Sequence, residues 1–114
     1  MGSAAFSREE IDAETTVLAV VGELDYSNAA ELRRRIDDVL ARRSGTLILD
    51  FAELIHLDSS GLAELISARQ RAAANDVTLV LAISSPGLRR TIEIRGLAGI
   101  FTIAATRADA LAQP

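Results

Sequence analysis

Four consecutive residues, Asp58-Ser59-Ser60-Gly61, form the densest polar cluster of the chain, and its one histidine, His56, lies just before them. A serine becomes a nucleophile when a base lies beside it, so this cluster is the first candidate for catalysis. The nucleophile elbow requires a glycine two residues before the serine, and Leu57 holds that position relative to Ser59. The neighbours of His56 predict a surface loop, and nothing evident orients the ring as a base. We therefore predict no catalytic residue.

Phosphate-binding motifs are also missing from the sequence. A P-loop needs a Gly-Lys pair, and the chain contains no lysine. There is no Gly-x-Gly-x-x-Gly motif either. Weak nucleotide binding or hydrolysis, with Mg²⁺ held by Asp25 and Asp58, is kept as a less favoured alternative. No cofactor and no metal are expected.

Helix capping is the simplest structural role of the cluster. Asp and Ser side chains accept hydrogen bonds from the free amides of a first helical turn, and Gly61 permits close packing there. Ser60 is predicted to be a cap rather than a reactive hydroxyl. Asp25 is assigned a comparable alternative role, as a charge that favours the start of the following helix. One cap satisfies a helix, so the additional hydroxyl of Ser59 calls for another explanation.

The composition excludes several classes of function. The chain has 114 residues, of which 49% are hydrophobic, with no cysteine and a net charge of −4. This length predicts a single domain over residues 1–114, with residues 1–5 as a flexible leading segment that lacks the features of a secretory signal. An acidic chain with four aromatic residues is a poor nucleic-acid ligand, and the cluster Arg33-Arg34-Arg35 is predicted to be a solvated helix face. No apolar run approaches the ~20 residues of a membrane span, so we expect a cytoplasmic protein that does not insert into membranes.

Alternating strand and helix patterns must position the cluster. Apolar, β-branched runs predict buried strands at residues 15–22, 46–51, 77–83 and 100–103, with a more polar edge strand at 6–11. Helical spacing predicts a helix that Ser27 or Asn28 opens, with Asn28 and Glu31 as a capping box and an end near Ser44-Gly45.

Three further helices are predicted. One covers residues 60–74. The next begins at residues 84–87 with Pro86 near its first position, buries Leu88, Ile92 and Leu97, and stops near Gly96. A short terminal helix follows a capping box at residues 106–109.

This order predicts an α/β fold with a mostly parallel sheet of about four or five strands and about four helices. The N-terminal edge strand is the one that could run antiparallel. Sites in such folds form beyond the carboxyl ends of the strands, where residues 23–27, 52–61 and 84–87 are predicted loops.

Two motifs resemble the STAS domain family, in particular its stand-alone bacterial anti-sigma-factor antagonists of the phosphoacceptor type. The first is Gly22-Glu23-Leu24-Asp25 followed by Ala29-Ala30-Glu31-Leu32-Arg33, and the second runs from Leu49-Asp50-Phe51 to Leu57-Asp58-Ser59-Ser60-Gly61-Leu62. Gly96-Leu97 with Ile100-Phe101 is a weaker third match, and His56 stands where an apolar or small residue is more usual.

The resemblance implies a partner-switching protein rather than an enzyme. In that family the serine after the aspartate, here Ser59, is phosphorylated by an anti-sigma factor with serine kinase activity. The unphosphorylated antagonist binds this partner and releases a sigma factor, and a serine phosphatase resets the cycle. The implied contact surface comprises Asp25, Asp58, Ser59, Ser60, Gly61 and Leu62.

Other STAS modules remain alternatives. The chain could serve as a stressosome scaffold, a transporter's cytoplasmic domain or an accessory subunit in lipid transport.

Overall fold

The computed structural model describes residues 3–42 and 45–112. The strands are β1 (Ala4–Asp12), β2 (Thr15–Leu24), β3 (Gly45–Asp50), β4 (Leu54–Leu57), β5 (Val77–Ala82) and β6 (Thr102–Ala104). The helices are α1 (Ala29–Arg42), α2 (Ser59–Ala74), α3 (Pro86–Ile94) and α4 (Arg107–Leu111).

The strands form one mixed sheet in the order β1-β2-β3-β5-β6. β1 runs antiparallel to β2, whereas β2, β3, β5 and β6 pair in parallel. This arrangement confirms the predicted α/β class and the antiparallel edge strand. A sixth strand, the short β4, completes the sheet. It pairs with the last residues of β2, beyond the stretch of β2 that pairs with β3.

β4 lies within residues 52–61, which are predicted above to form a loop, so that prediction is wrong for Leu54–Leu57. β2 continues to Leu24, beyond its predicted end at Gly22, and its last residues need a hydrogen-bonding partner. Gly22 pairs with Leu54 and Leu24 with Leu57, which aligns the ends of β2 and β4.

The first residues of the chain also depart from expectation. Ala4 and Ala5, assigned above to a flexible segment, belong to β1 and pair with Gly22 and Val21 of β2. The expectation is therefore wrong for these two residues, while residues 1 and 2 lie outside those that the structure describes.

The two faces of the sheet are covered differently. Successive strand residues point to opposite faces. Leu18, Leu49 and Leu81 pack in the larger core cluster with apolar residues of α1, α2 and α3. Val17 and Ile48 point to the other face, where α4 contributes Ala110 to a smaller cluster. Three helices therefore cover one face and the short α4 covers part of the other.

The ion pair between Arg71 and Asp37 joins α2 to α1. Arg71 of α2 donates a hydrogen bond from Nε to Oδ1 of Asp37 in α1, with 2.8 Å between the two atoms. Its Nη2 donates to Oε2 of the buried Glu64, at 2.7 Å. The predicted solvated arginine face lies on α1, where Arg34 and Arg35 are exposed and both pair with Glu31. The Arg71–Asp37 pair helps to fix α2, the helix that begins at the polar cluster.

The predicted starts of α3 and α4 agree with the structure. Ser85 caps α3 by accepting from the Leu88 N–H, and Pro86 is the first residue of that helix. Thr106 caps α4 by accepting from the Asp109 N–H at 3.0 Å. The predicted end of α1 near Ser44-Gly45 falls partly outside the described residues: Ser44 is not described, and Gly45 takes a positive φ of 106° and begins β3.

Two details at the end of α3 and the final strand differ from expectation. Leu97 is half-buried and follows α3 instead of belonging to it, because the helix ends at Ile94. The final strand begins at Thr102, two residues later than predicted.

Candidate functional site

The polar cluster lies where β2 and β4 end side by side and α2 begins. The backbone N–H of Asp58 donates to the carbonyl of Leu24, with 3.1 Å between nitrogen and oxygen. This bond ties the start of α2 to the end of β2. The predicted site at the carboxyl ends of the strands is thus built from two strand ends and a helix start.

Asp58 caps α2. One carboxylate oxygen, Oδ1, accepts from the Gly61 N–H at 3.0 Å, and its backbone has the extended conformation usual for such a cap. The other oxygen, Oδ2, accepts from the Tyr26 N–H at 3.3 Å. The prediction that Ser60 is the cap is therefore wrong. Ser60 is the second residue of the helix and is half-buried.

Ser59 is the first residue of α2 and its side chain is exposed. Directly behind it, Gly61 and Leu62 are buried, Leu62 to 4% exposure. A Cβ on Gly61 would lie 2.5 Å from Cδ1 of Leu57 and 3.1 Å from Cγ of Leu24. The absence of a side chain at Gly61 lets α2 start tight against the strand ends, with Ser59 directed to the surface.

Asp25 lies in the loop after β2 and is 7% exposed. Its Oδ1 accepts from both the backbone N–H and the hydroxyl of Ser27. Asn28 supports the same loop, because its Oδ1 accepts from the Asp25 N–H at 2.9 Å and its Nδ2 donates to the Glu23 carbonyl at 2.7 Å. Asp25 therefore shapes the loop from within and presents little surface of its own.

The capping box predicted from Asn28 and Glu31 is not formed in that way. The Asn28 side chain turns back toward the loop, and the Glu31 carboxylate pairs with Arg34 and Arg35. These arginine hydrogen bonds, foremost that from Arg35, hold the pKa of Glu31 below its ordinary value against an opposing effect of desolvation. Arg35 also lies over the Phe6 ring, 5.1 Å from its centre.

Two exposed apolar side chains near the cluster were missed by sequence reasoning. Tyr26, next to Asp25, is 68% exposed, and Ile55 of β4 is 82% exposed. Tyr26 is tied to the cluster through Asp58, whereas Ile55 lies two residues before Leu57 on the strand that leads into it. His56 is exposed and pairs with Glu23 of β2, in agreement with its predicted surface position. The signal that could have found Tyr26 and Ile55 is an apolar side chain beside the polar motif.

A groove of about 270 Å³ opens beside Ser59, between α2 and the chain that follows α3. Leu62, Ala63 and Ile66 line its α2 wall, and Arg95 and Leu97 line the other. Exposed polar atoms at Ser59 thus adjoin an apolar depression. Such a combination suits contact with another macromolecule better than the enclosure of a small substrate.

Metal and membrane sites find little support in the described residues. Within residues 3–42 and 45–112, no three acidic or histidine side chains converge as a metal would require. Both oxygens of Asp58 already accept from backbone N–H groups, which leaves it poorly suited to Mg²⁺. None of the helices in this part of the chain is both long and apolar enough for a transmembrane span.

Comparison with known proteins identifies the family. The STAS domain model matches residues 7–110 of the chain. The anti-sigma-F factor antagonist RsfB of Mycobacterium tuberculosis is 30% identical over 95 residues, which cover 83% of this chain and 77% of RsfB.

Solved structures give the same result. An anti-sigma factor antagonist from Mycobacterium paratuberculosis has a TM-score of 0.82 at 30% identity, covering 96% of this chain and 92% of that one. Bacillus SpoIIAA in its phosphorylated form has a TM-score of 0.72 at 28% identity, covering 94% of this chain and 96% of that one. Unphosphorylated SpoIIAA gives a TM-score of 0.73. With its mixed sheet, the four helices of its described residues and these matches along nearly the whole chain, the protein belongs to the STAS domain family.

Proposed function

We propose that this chain is an anti-sigma-factor antagonist. It binds an anti-sigma factor that is also a serine kinase, and phosphorylation of Ser59 by that partner ends the binding. A serine phosphatase restores the unphosphorylated form. The chain acts in the cytoplasm as a substrate and binding partner and catalyses no reaction itself.

One observation carries the proposal: the hydroxyl-bearing residue of the family motif is exposed at the tip of a rigid element. Ser59 is exposed while Asp58, Gly61 and Leu62 around it are held by hydrogen bonds or packing. A kinase can reach this hydroxyl without unfolding the chain. The curated relatives that this chain matches along most of their own length are named antagonists, which favours the antagonist role over the scaffold, transporter and lipid-transport alternatives.

The contact surface combines a polar centre with apolar neighbours. Ser59, Ser60 and Asp58 supply the polar centre, and the exposed Tyr26 and Ile55 flank it. Aromatic and aliphatic anchors around a small polar centre are typical of protein interfaces. Asp25, Gly61 and Leu62 contribute by holding this surface in shape.

A phosphate on Ser59 is compatible with the fold of the free protein. It would lie at the amino end of α2, where outward-pointing amides and the helix dipole favour an anion by ~0.3–1 kcal/mol. Repulsion from the carboxylates of Asp58 and Asp25 offsets part of this gain.

The same phosphate is costly inside an interface. It brings roughly −1.5 to −2 charges at neutral pH into a surface that must lose its water when the partner docks. A penalty of ~4 kcal/mol corresponds to about a thousandfold loss of affinity. Phosphorylation therefore blocks docking through charge and bulk and requires no refolding.

The phosphorylation step is tested by intact-mass analysis. The protein is mixed with a candidate anti-sigma factor and Mg·ATP, and we expect the mass of one added phosphate. Ser59→Ala abolishes this gain, and the matched control Ser60→Ala, one residue along the same helix turn, retains it. A phosphate that persists in Ser59→Ala, or is lost only in Ser60→Ala, contradicts the assignment. ATP consumption by the protein alone would instead support the hydrolytic alternative.

A further inference from the structure

The groove beside Ser59 contains a cation that the proposed function does not use. Arg95, the C-cap residue that follows α3, lines this groove together with Ser59. It is exposed and has no ion-pair partner among the residues that the structure describes. Most other described arginines, such as Arg71 and Arg107, are held by carboxylates.

The backbone around Arg95 is firmly placed. The Arg95 N–H closes the last turn of α3 on the Thr91 carbonyl, and Gly96 then takes a positive φ of 71°. The Leu97 N–H returns to the Ile92 carbonyl at 3.1 Å. This helix end directs the chain back toward α2, so the arginine and Leu97 form one wall of the groove.

The groove provides both room and a suitable environment for a phosphoryl group. Its volume of about 270 Å³ is several times the ~30 Å³ that one water occupies in the liquid. Leu62, Ile66 and Leu97 line it and offer no side-chain polar atom that would compete for the charges. Guanidinium groups bind phosphate through paired N–H donors, which makes arginine the preferred side chain for such a contact.

We infer that Arg95 is the intramolecular receptor for the phosphate on Ser59. The guanidinium pairs with phosphoserine across the groove between α2 and the end of α3. This inference rests on the proposed function, since it concerns the phosphorylated form of Ser59. The pairing adds a second effect to the switch. The phosphate covers the apolar groove and neutralises the Arg95 guanidinium, which the unphosphorylated surface would otherwise offer to a partner.

Other charged groups at this end of the molecule do not replace Arg95. Asp58 and Asp25 repel the phosphate and are bonded to backbone amides. His56 lies on β4, outside the groove lining. Arg69 donates to the Ile100 carbonyl and lines a different depression.

The test uses the full chain with phosphoserine incorporated at position 59 during translation. It therefore needs no kinase, and a failure of the kinase assay above leaves this test valid. The second ionisation of the phosphate is followed by ³¹P NMR during a pH titration. Arg95→Gln is compared with Arg90→Gln, which removes an equal charge from an exposed position on the same helix but outside the groove.

A direct ion pair stabilises the dianion, so Arg95→Gln raises the proton affinity of the phosphate about threefold. Arg90→Gln leaves it close to that of the unsubstituted phosphoprotein. Equal titration curves for all three proteins overturn the inference. An equal rise in both variants overturns it too, because the effect then comes from overall charge. Urea unfolding of each variant confirms that the comparison is between folded proteins.

Discussion

The carboxylate of Asp58 determines how Ser59 is presented. Its two oxygens accept from the N–H groups of Gly61 and Tyr26, which join the helix start to the loop after β2. Asp58→Ala removes both bonds, and we expect a loss of ~1–2 kcal/mol in the free energy of unfolding, measured in urea. Asp58→Asn keeps an oxygen acceptor for Gly61 and is the matched control, with a clearly smaller loss. Equal stabilities of the alanine variant and the unsubstituted protein would contradict this role.

Gly61 provides the close approach of α2 to the strand ends. Gly61→Ala places a methyl group 2.5 Å from Cδ1 of Leu57, so we expect a destabilisation of ~1–3 kcal/mol by urea unfolding. The comparison is Gly87→Ala in α3, where the nearest atom would be 3.8 Å away. That variant should be neutral or slightly more stable, because alanine is the better helix former. A Gly61→Ala variant as stable as Gly87→Ala would contradict the role of Gly61 in the close packing of α2 against the strand ends.

At this scale, the sequence is informative about residue types but not about which of several equivalent groups forms each bond. An Asp followed by two Ser residues before an apolar helix predicts a capped helix start. Asp58 rather than Ser60 forms the cap because β2 fixes the Asp58 backbone through the Leu24 carbonyl. That bond is long-range and leaves no local signature. The same holds for Asn28, whose side chain is taken up by the Asp25 loop.

At the scale of elements, Glu31 couples the stability of α1 to pH. Its folded-state pKa lies below the ordinary value, mainly through the hydrogen bond from Arg35. A depressed pKa means that the contribution is complete above the ordinary pKa of glutamate, about 4.3, and is lost as the pH falls through the folded-state value. The destabilisation caused by Glu31→Gln should therefore be full at pH 7 and should shrink as the pH falls below about 4.3 and through the lower folded-state pKa.

Chemical unfolding at a series of pH values measures this difference. The control is Glu93→Gln on α3, an exposed carboxylate without an ion pair in the described parts of the chain. The control should show a smaller dependence on pH. A loss on Glu31→Gln that stays constant from pH 7 to pH 3 would exclude the arginine contacts as its cause.

β4 shows where prediction of elements reaches its limit. The periodic apolar segments that became β2, β3, β5 and the helices were predictable, since each buries a face of its own. β4 buries Leu54 and Leu57 and exposes Ile55 and His56, which matches neither strict alternation nor a continuous apolar run. It is a strand because the end of β2 has an unpaired edge beside it, and that edge exists only in the assembled sheet.

At the scale of the whole molecule, the fold separates stability from signalling. The large core lies between the sheet and α1, α2 and α3, whereas Ser59 lies at the margin where two strand ends meet a helix start. A change of charge at that margin leaves the core contacts intact. The parallel order of β2, β3 and β5 could be expected from the alternating pattern, and it places the predicted loops at one edge.

The central claim is that a single phosphate on Ser59 controls docking to an anti-sigma factor. Isothermal titration calorimetry of that partner with the unmodified chain and with the phosphoserine-59 chain tests it most directly. We expect the phosphorylated chain to bind about a thousandfold more weakly, with its far-UV circular dichroism spectrum unchanged. Equal affinities of the two forms would contradict it.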